Sequence, residues 1–266
     1  MGTRSGRLSE GLVLLEGSHL LEALLRLGSF PHEVIATPLW FEHHSDLVRL
    51  LHSRTKVRFV TDEVLRASVT TVHPDGVACL CSLDCFPDSP SLSVENSFLL
   101  LLDRIQDPGN LGTLLRTAMA SDVDAVWIGA GADPLSPKVL RSSAGTLFQL
   151  PHHRFGPDSD TAVQQLKLKL LELVEQQFQV VATLVQHFQG SLQPMPYWHL
   201  DWTKPTALIL GTEGTGLHPV LQSCCTHAVT LPHSPRVDSL NVASAAVPLL
   251  LERRRATMIA NAQQRR

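Results

Sequence analysis

The 266 residues carry 22 basic and 25 acidic side chains, a net charge of −3, with 44% hydrophobic and 18% charged residues. That balance excludes a disordered chain and a uniformly basic nucleic-acid binder, and the length accommodates two domains. No apolar run reaches the ~18–20 residues of a membrane span, the start is too short for a transit peptide, and the expectation is a cytoplasmic protein.

Residues 12–15 form a short apolar strand, and Gly17-Ser18 opens a helix whose leucines at 20, 21, 24, 25 and 27 keep helical spacing up to Gly28. A strand at 33–37, a helix at 45–53, a strand at 57–60, a helix capped by Thr61 and a strand at 77–83 follow. The chain thus starts almost at its first strand, in an alternating α/β unit that ends near residue 86. Pro87-Asp88-Ser89-Pro90-Ser91 marks a linker over 87–96, with a second domain over 97–266. Residues 1–96 hold 8 basic and 12 acidic side chains and the remainder 14 and 13, so neither part is strongly basic.

The second domain opens with an unbroken apolar run at 97–103, the mark of a strand buried on both faces of a parallel sheet. A helix at 110–120, a strand at 125–129 and a short helix started by Ser136-Pro137 come next. An amphipathic helix at 161–177, strands at 179–185, 206–210 and 228–231, a helix at 218–223 and a final helix at 239–254 complete the chain. Repeated β-α-β with buried strands predicts an α/β fold with a parallel sheet covered by helices.

Cys79, Cys81, Cys85, Cys224 and Cys225 are odd in number and lack the C-x₂-C spacing of zinc knuckles, so free thiols in a reducing compartment are expected. His152, His153 and His233 have no carboxylate or cysteine at ligand spacing, so no metal is expected. Tyr197, Trp198 and Trp202 in the segment 187–204 are suited either to stacking on bases or to pinning a loop onto the core.

Three loops follow buried strands, where open α/β sheets place their ligands. In the first, D-P-G-N-L-G-T-L-L-R-T-A over 107–118, Asn110 is placed to cap a helix and Arg116 lies about a turn and a half inside it; a tight turn with a solvated arginine has the same pattern. The second, L-I-L-G-T-E-G-T-G-L over 208–217, puts three glycines after an apolar strand, yet it is neither a G-x-G-x-x-G fingerprint nor a P-loop. In the third, L-P-H-S-P-R-V-D-S-L-N-V-A-S-A-A over 231–246, Ser239 is placed to cap the last helix and Asn241 adds a second polar group. Each alone is compatible with ordinary turn and cap chemistry.

In this order the three segments resemble the signature motifs of the SpoU (TrmH) family of RNA ribose methyltransferases, over about residues 97–255. The earlier segments L-L-E-G-S-H-L-L-E-A-L, V-R-F-V-T-D-E-V-L-R-A and H-P-D-G-V-A-C-L are similar to the family's smaller N-terminal RNA-binding α/β domain, which resembles a ribosomal protein. The resemblance implies a C-terminal parallel sheet with a trefoil knot of the SPOUT type, a homodimer through that domain, and S-adenosylmethionine (S-adenosyl-L-methionine) as methyl donor. It implies an RNA substrate, ribosomal RNA ahead of transfer RNA, and no membrane partner. By position, Thr183, Gly211, Gly216, Leu231, Ser239 and Leu240 would bind the donor. Arg116 would act at the 2′-oxygen with Asn110, Glu213, Ser239 and Asn241 positioning it and the ribose, and Arg141 would touch RNA phosphate. A non-catalytic RNA-binding or ribosome assembly factor of the same fold, and a methyltransferase acting on a base, are the alternatives. Relatives often carry a basic leader helix, which this sequence pattern lacks.

Overall fold

In a computed structural model describing residues 3–52, 54–88, 97–186, 192–212 and 214–264, the chain divides into two units: Met1–Pro87 with Asp133–Gln149, and Asp88–Ala132 with Leu150–Arg266. The division departs from the expected single domain over 97–266, because a segment from within it belongs to the first unit. Most of the expected linker, 89–96, lies outside the described residues.

In the first unit the sheet order is β1 (Leu12–Glu16), β4 (Val77–Ser82), β2 (Glu33–Ala36), β3 (Lys56–Phe59), antiparallel except for the β2–β3 pair. Around it run α1 (Arg4–Glu10), α2 (Ser18–Arg26), α3 (Pro38–His43), α4 (Ser45–Leu51) and α5 (Asp62–Ser68). Leu20, Leu21 and Leu24 put the buried stripe of α2 against the sheet at helical spacing. The helix α1 corrects the expectation that the chain begins at its first strand: Thr3 caps it and Gly11 ends it in a left-handed conformation. Sequence periodicity missed it because seven residues give too few turns to establish a stripe.

The returning segment is held to this unit by buried charge. The Glu16 carboxylate accepts the Thr70 N–H at 2.7 Å and the Thr71 N–H at 3.2 Å, and pairs with Arg141 of α7 (Pro137–Ser142). Arg7, buried, pairs with Asp133, and Phe148 stacks on Phe86 with centroids 5.4 Å apart. A buried carboxylate without such partners would carry a large desolvation penalty, so these pairs fix where the segment goes. Nothing local in the sequence announces a partner 125 residues away.

The second unit is a seven-stranded, all-parallel sheet in the order β7 (His152–Arg154), β6 (Ala125–Ile128), β5 (Phe98–Leu102), β10 (Thr206–Leu210), β8 (Gln179–Thr183), β11 (His227–Thr230), β9 (Met195–Pro196). Every residue of β5 and β10 is buried, as the apolar runs predict for the centre of a parallel sheet. The helix α8 (Ser159–Glu175) buries Ala162, Val163, Leu166, Leu170 and Leu173 in the core that includes β8 and β10. The other helices of the unit are α6 (Pro108–Ala120), α9 (Pro219–Gln222) and α10 (Val242–Gln264), of which α6 and α10 pack together. The sequence pattern missed β7 and β9, which are only three and two residues long. It also ended α10 ten residues early: Ala256, Met258, Ala260 and Ala262 are strong helix formers that carry the helix on to Gln264. Trp202 resolves one open alternative. It is buried, lies edge-on to Phe98 and donates from Nε1 to the Tyr197 carbonyl at 2.7 Å, so it pins the loop to the core. Trp198 stays about half exposed, and residues 187–191 lie outside the described residues.

Candidate active site

The strands β5 and β10 end side by side, and the chain leaving each is tied to the other. The Asp103 N–H donates to the Leu210 carbonyl at 2.8 Å. The Asp103 side chain, 1% exposed, accepts the His218 N–H at 2.7 Å and two hydrogen bonds from Arg104, from Nε at 3.1 Å and Nη2 at 3.1 Å. Arg104 in turn donates to the Gly216 carbonyl at 3.2 Å. Its φ of +56° is one of few such values outside glycine, a cost offset by this two-sided clamp. Neither residue is given a role by the sequence pattern, since the partners they tie together are over 100 positions away.

The clamp holds the loop 211–217 in a closed shape. Thr212 and Gly216 exchange backbone hydrogen bonds at 3.2 and 3.0 Å, and the Thr212 and Thr215 hydroxyls meet at 2.8 Å. A Cβ on Gly211 would stand 2.4–2.6 Å from backbone atoms of Gly216 and Leu217, so only glycine fits there. Gly216 adopts φ +66° in open space, so its need for glycine is conformational instead of steric. Glu213 lies outside the described residues. On the neighbouring strand, the Thr183 hydroxyl donates to the Ile209 carbonyl at 2.8 Å.

The third segment behaves differently. After β11, His233 Nδ1 lies 2.7 Å from the Leu231 carbonyl, and residues 234–241 are exposed throughout. The expected helix caps are corrected here. Asn241, and not Ser239, caps α10: its Oδ1 accepts the Ala243 and Ser244 N–H groups, each at 3.1 Å. Asp107, and not Asn110, caps α6: its Oδ1 accepts the Asn110 N–H at 2.8 Å, with Pro108 in the first helical position. Both expectations chose a capping residue type two or three positions from the one used.

Those shifts free Asn110 for a contact the sequence did not reveal. Asn241 Nδ2 donates to Asn110 Oδ1 at 3.0 Å, joining the first segment to the third across 131 positions. Arg116 lies two turns along α6, exposed, with no ion pair among the described residues. Arg141 belongs to the first unit, where its guanidinium meets Glu16 and the Thr70 hydroxyl.

Between the second and third segments lies a cavity of about 320 Å³, within the size range of small-molecule sites. Thr183, Gly211, Gly216, Leu231, Ser239 and Leu240 all line it, and Leu184, Leu210, Val242 and Leu249 add apolar wall. Gly211, Thr212, Gly214, Thr215 and Gly216 add a small-residue, polar stretch to its lining. Such a lining suits a flat, mostly apolar ligand with polar edges. Burial pushes the His152 and His153 imidazoles toward the neutral form, and no cluster of three metal-ligating side chains is found among the described residues. Among the described residues, no helix is long and apolar enough to cross a membrane.

Residues 97–250 match the SpoU rRNA Methylase family. An uncharacterized tRNA/rRNA methyltransferase of Synechocystis is 40% identical over 94% of this chain and 86% of its own length. A 23S rRNA guanosine 2′-O-methyltransferase of Bacillus subtilis is 29% identical over 93% of this chain and 90% of its own. Among solved structures, the SpoU methyltransferase AviRb of Streptomyces viridochromogenes, in complex with AdoMet, is similar with a TM-score of 0.78 and 25% identity, over 97% of this chain and 94% of that one.

Proposed function

The chain belongs to the SpoU rRNA methylase family, and on that premise we propose that it transfers a methyl group from S-adenosylmethionine to a ribose 2′-hydroxyl of ribosomal RNA. The observation that carries this reading is the cavity, whose lining includes all six residues that motif position assigns to the donor. Its apolar walls and the glycine- and threonine-rich stretch beside them fit a purine nucleoside. The relatives named as 23S rRNA 2′-O-methyltransferases favour ribosomal over transfer RNA.

The bound donor supplies an electrophilic methyl group on a sulfonium. The protein's task is to orient the hydroxyl and stabilise negative charge as its oxygen attacks. A guanidinium stays protonated near neutral pH, so Arg116 acts by holding the oxygen and stabilising its developing charge. Asn110 and Asn241, hydrogen-bonded to each other, position the ribose beside it, with Ser239 and Glu213 supporting that edge. Thr183, Gly211, Gly216, Leu231, Ser239 and Leu240 hold the donor.

The family's trefoil knot is part of the same reading, supported by the all-parallel order in which β10 lies between β5 and β8. So is a first unit that serves RNA binding. A homodimer is supported by the exposed apolar face of α10, where Val247, Leu251, Met258 and Ile259 recur at helical spacing. The cytoplasm is assigned on the bacterial relatives and on five unpaired cysteines. Incubation with labelled donor and undermethylated ribosomal RNA tests the function: label in alkali-resistant dinucleotides is expected, label on a base indicates the base-modifying alternative, and RNA binding without label indicates an assembly factor.

A further inference from the structure

The first unit, with 10 basic and 11 acidic side chains, is nearly balanced in total, yet its charge is unevenly distributed. Residues 43–58 hold Arg49, Arg54, Lys56 and Arg58 with His43, His44 and His52, against the single carboxylate Asp46. That is half of the eight cations in residues 1–96, a stretch with 12 acids. All four cations are exposed, and two of them lie on β3, the edge strand of the sheet, which pairs only with β2.

Aromatic groups accompany them. Phe59, the last residue of β3, is 65% exposed, with its ring centroid 4.4 Å from that of Phe41. The Arg54 guanidinium lies over the Phe30 ring, 4.7 Å from its centroid, which orients a cation while leaving its other face open. Arg58 pairs with Glu33 and Arg49 with Asp46, both at the surface, where ion pairs contribute little and exchange readily for another anion. Side chains alternate along a strand, so Lys56 and Arg58 stand on one face and Phe59 on the other. A chain running along the open edge meets both.

We propose that this edge, with Arg54, Lys56 and Arg58 as phosphate contacts and Phe59 as a base-stacking platform, grips a single-stranded segment of the substrate RNA. The inference rests on the reading of RNA as substrate. Cations on an edge strand also keep sheets from pairing with one another. That role would not place a largely exposed phenylalanine beside them, since an apolar ring there works against it. Combined cationic and aromatic groups along an open edge match the chemistry of single strands, whose bases are free to stack.

The test is binding of a short, mixed-sequence single-stranded RNA oligonucleotide to the full chain across a salt series. The double variant R54Q/K56Q is compared with R26Q/R66Q, which removes the same charge from exposed positions elsewhere in this unit. Losing two phosphate contacts should lower the slope of log affinity against log salt by about 1.4, while the control pair leaves it unchanged. F59A should weaken binding about tenfold or more, with unaltered thermal melting. Equal slopes for both double variants together with unchanged F59A affinity would overturn the inference and leave a protein as the occupant of this edge. Wild-type chain that bound no RNA and transferred no label would instead overturn the substrate reading, and this inference with it.

Discussion

The two walls of the cavity are built on opposite principles. The 211–217 loop is closed on itself by paired backbone hydrogen bonds, packed so closely that Gly211 admits no Cβ, and clamped by the buried Asp103 and Arg104. The 234–241 segment is exposed along its length, and regular structure resumes only where Asn241 caps α10 and meets Asn110. A preorganised wall lowers the entropy cost of binding a ligand. An exposed wall is free to settle on a second substrate, and ligand-contacting loops are commonly drawn from the less stable parts of a fold. On the function proposed above, donor recognition falls mainly to the first wall and assembly of the ribose site mainly to the second.

Five substitutions sharpen or break that contrast. Arg116→Ala should have the largest effect, lowering single-turnover methyl transfer by about 10²–10³-fold while thermal melting and donor affinity stay at wild-type values; preserved transfer would remove Arg116 from the reaction. Gly211→Ala should come next, costing roughly 1–3 kcal/mol of stability through overpacking and abolishing measurable donor binding in calorimetry. If donor binding survived, the rigid wall would not be the donor's. Asp103→Asn keeps the shape of the clamp but loses its charge-assisted hydrogen bonds, at a cost of roughly 2 kcal/mol. Hydrogen exchange at Thr212 and Gly216 should then quicken before exchange in β5 does.

The smallest effect separates two neighbouring polar residues of the open wall. Asn241→Ala should cost about 1 kcal/mol as a lost helix cap, along with slower transfer through the loss of the Asn110 contact. Ser239→Ala should leave the melting temperature unchanged, because Ser239 caps nothing. Equal destabilisation by the two would restore Ser239 as the cap.

The sequence made some of this plain and concealed the rest for identifiable reasons. The buried strands β5 and β10 were readable because continuous apolar runs have few other uses, and the glycines of the 211–217 loop were readable because Gly211 admits no Cβ and Gly216 takes a left-handed conformation that favours glycine. The caps were misplaced by two or three positions, since Asp107, Asn110, Ser239 and Asn241 are all good capping types and only the fold chooses among them. The ties that assemble the site were beyond any local pattern: Asp103 to His218, Arg104 to Gly216 and Asn110 to Asn241 each link positions more than 100 residues apart. The same holds for 133–149, carried into the first unit by Glu16–Arg141 and Arg7–Asp133. Charge totals also concealed an exposed basic edge within a nearly neutral unit.

The most direct measurement is a map of alkali-resistant phosphodiesters in ribosomal RNA from cells with and without this protein. The account predicts at least one site whose resistance vanishes with the protein, returns with the wild-type chain and does not return with Arg116→Ala. Identical maps in the presence and absence of the protein would contradict it.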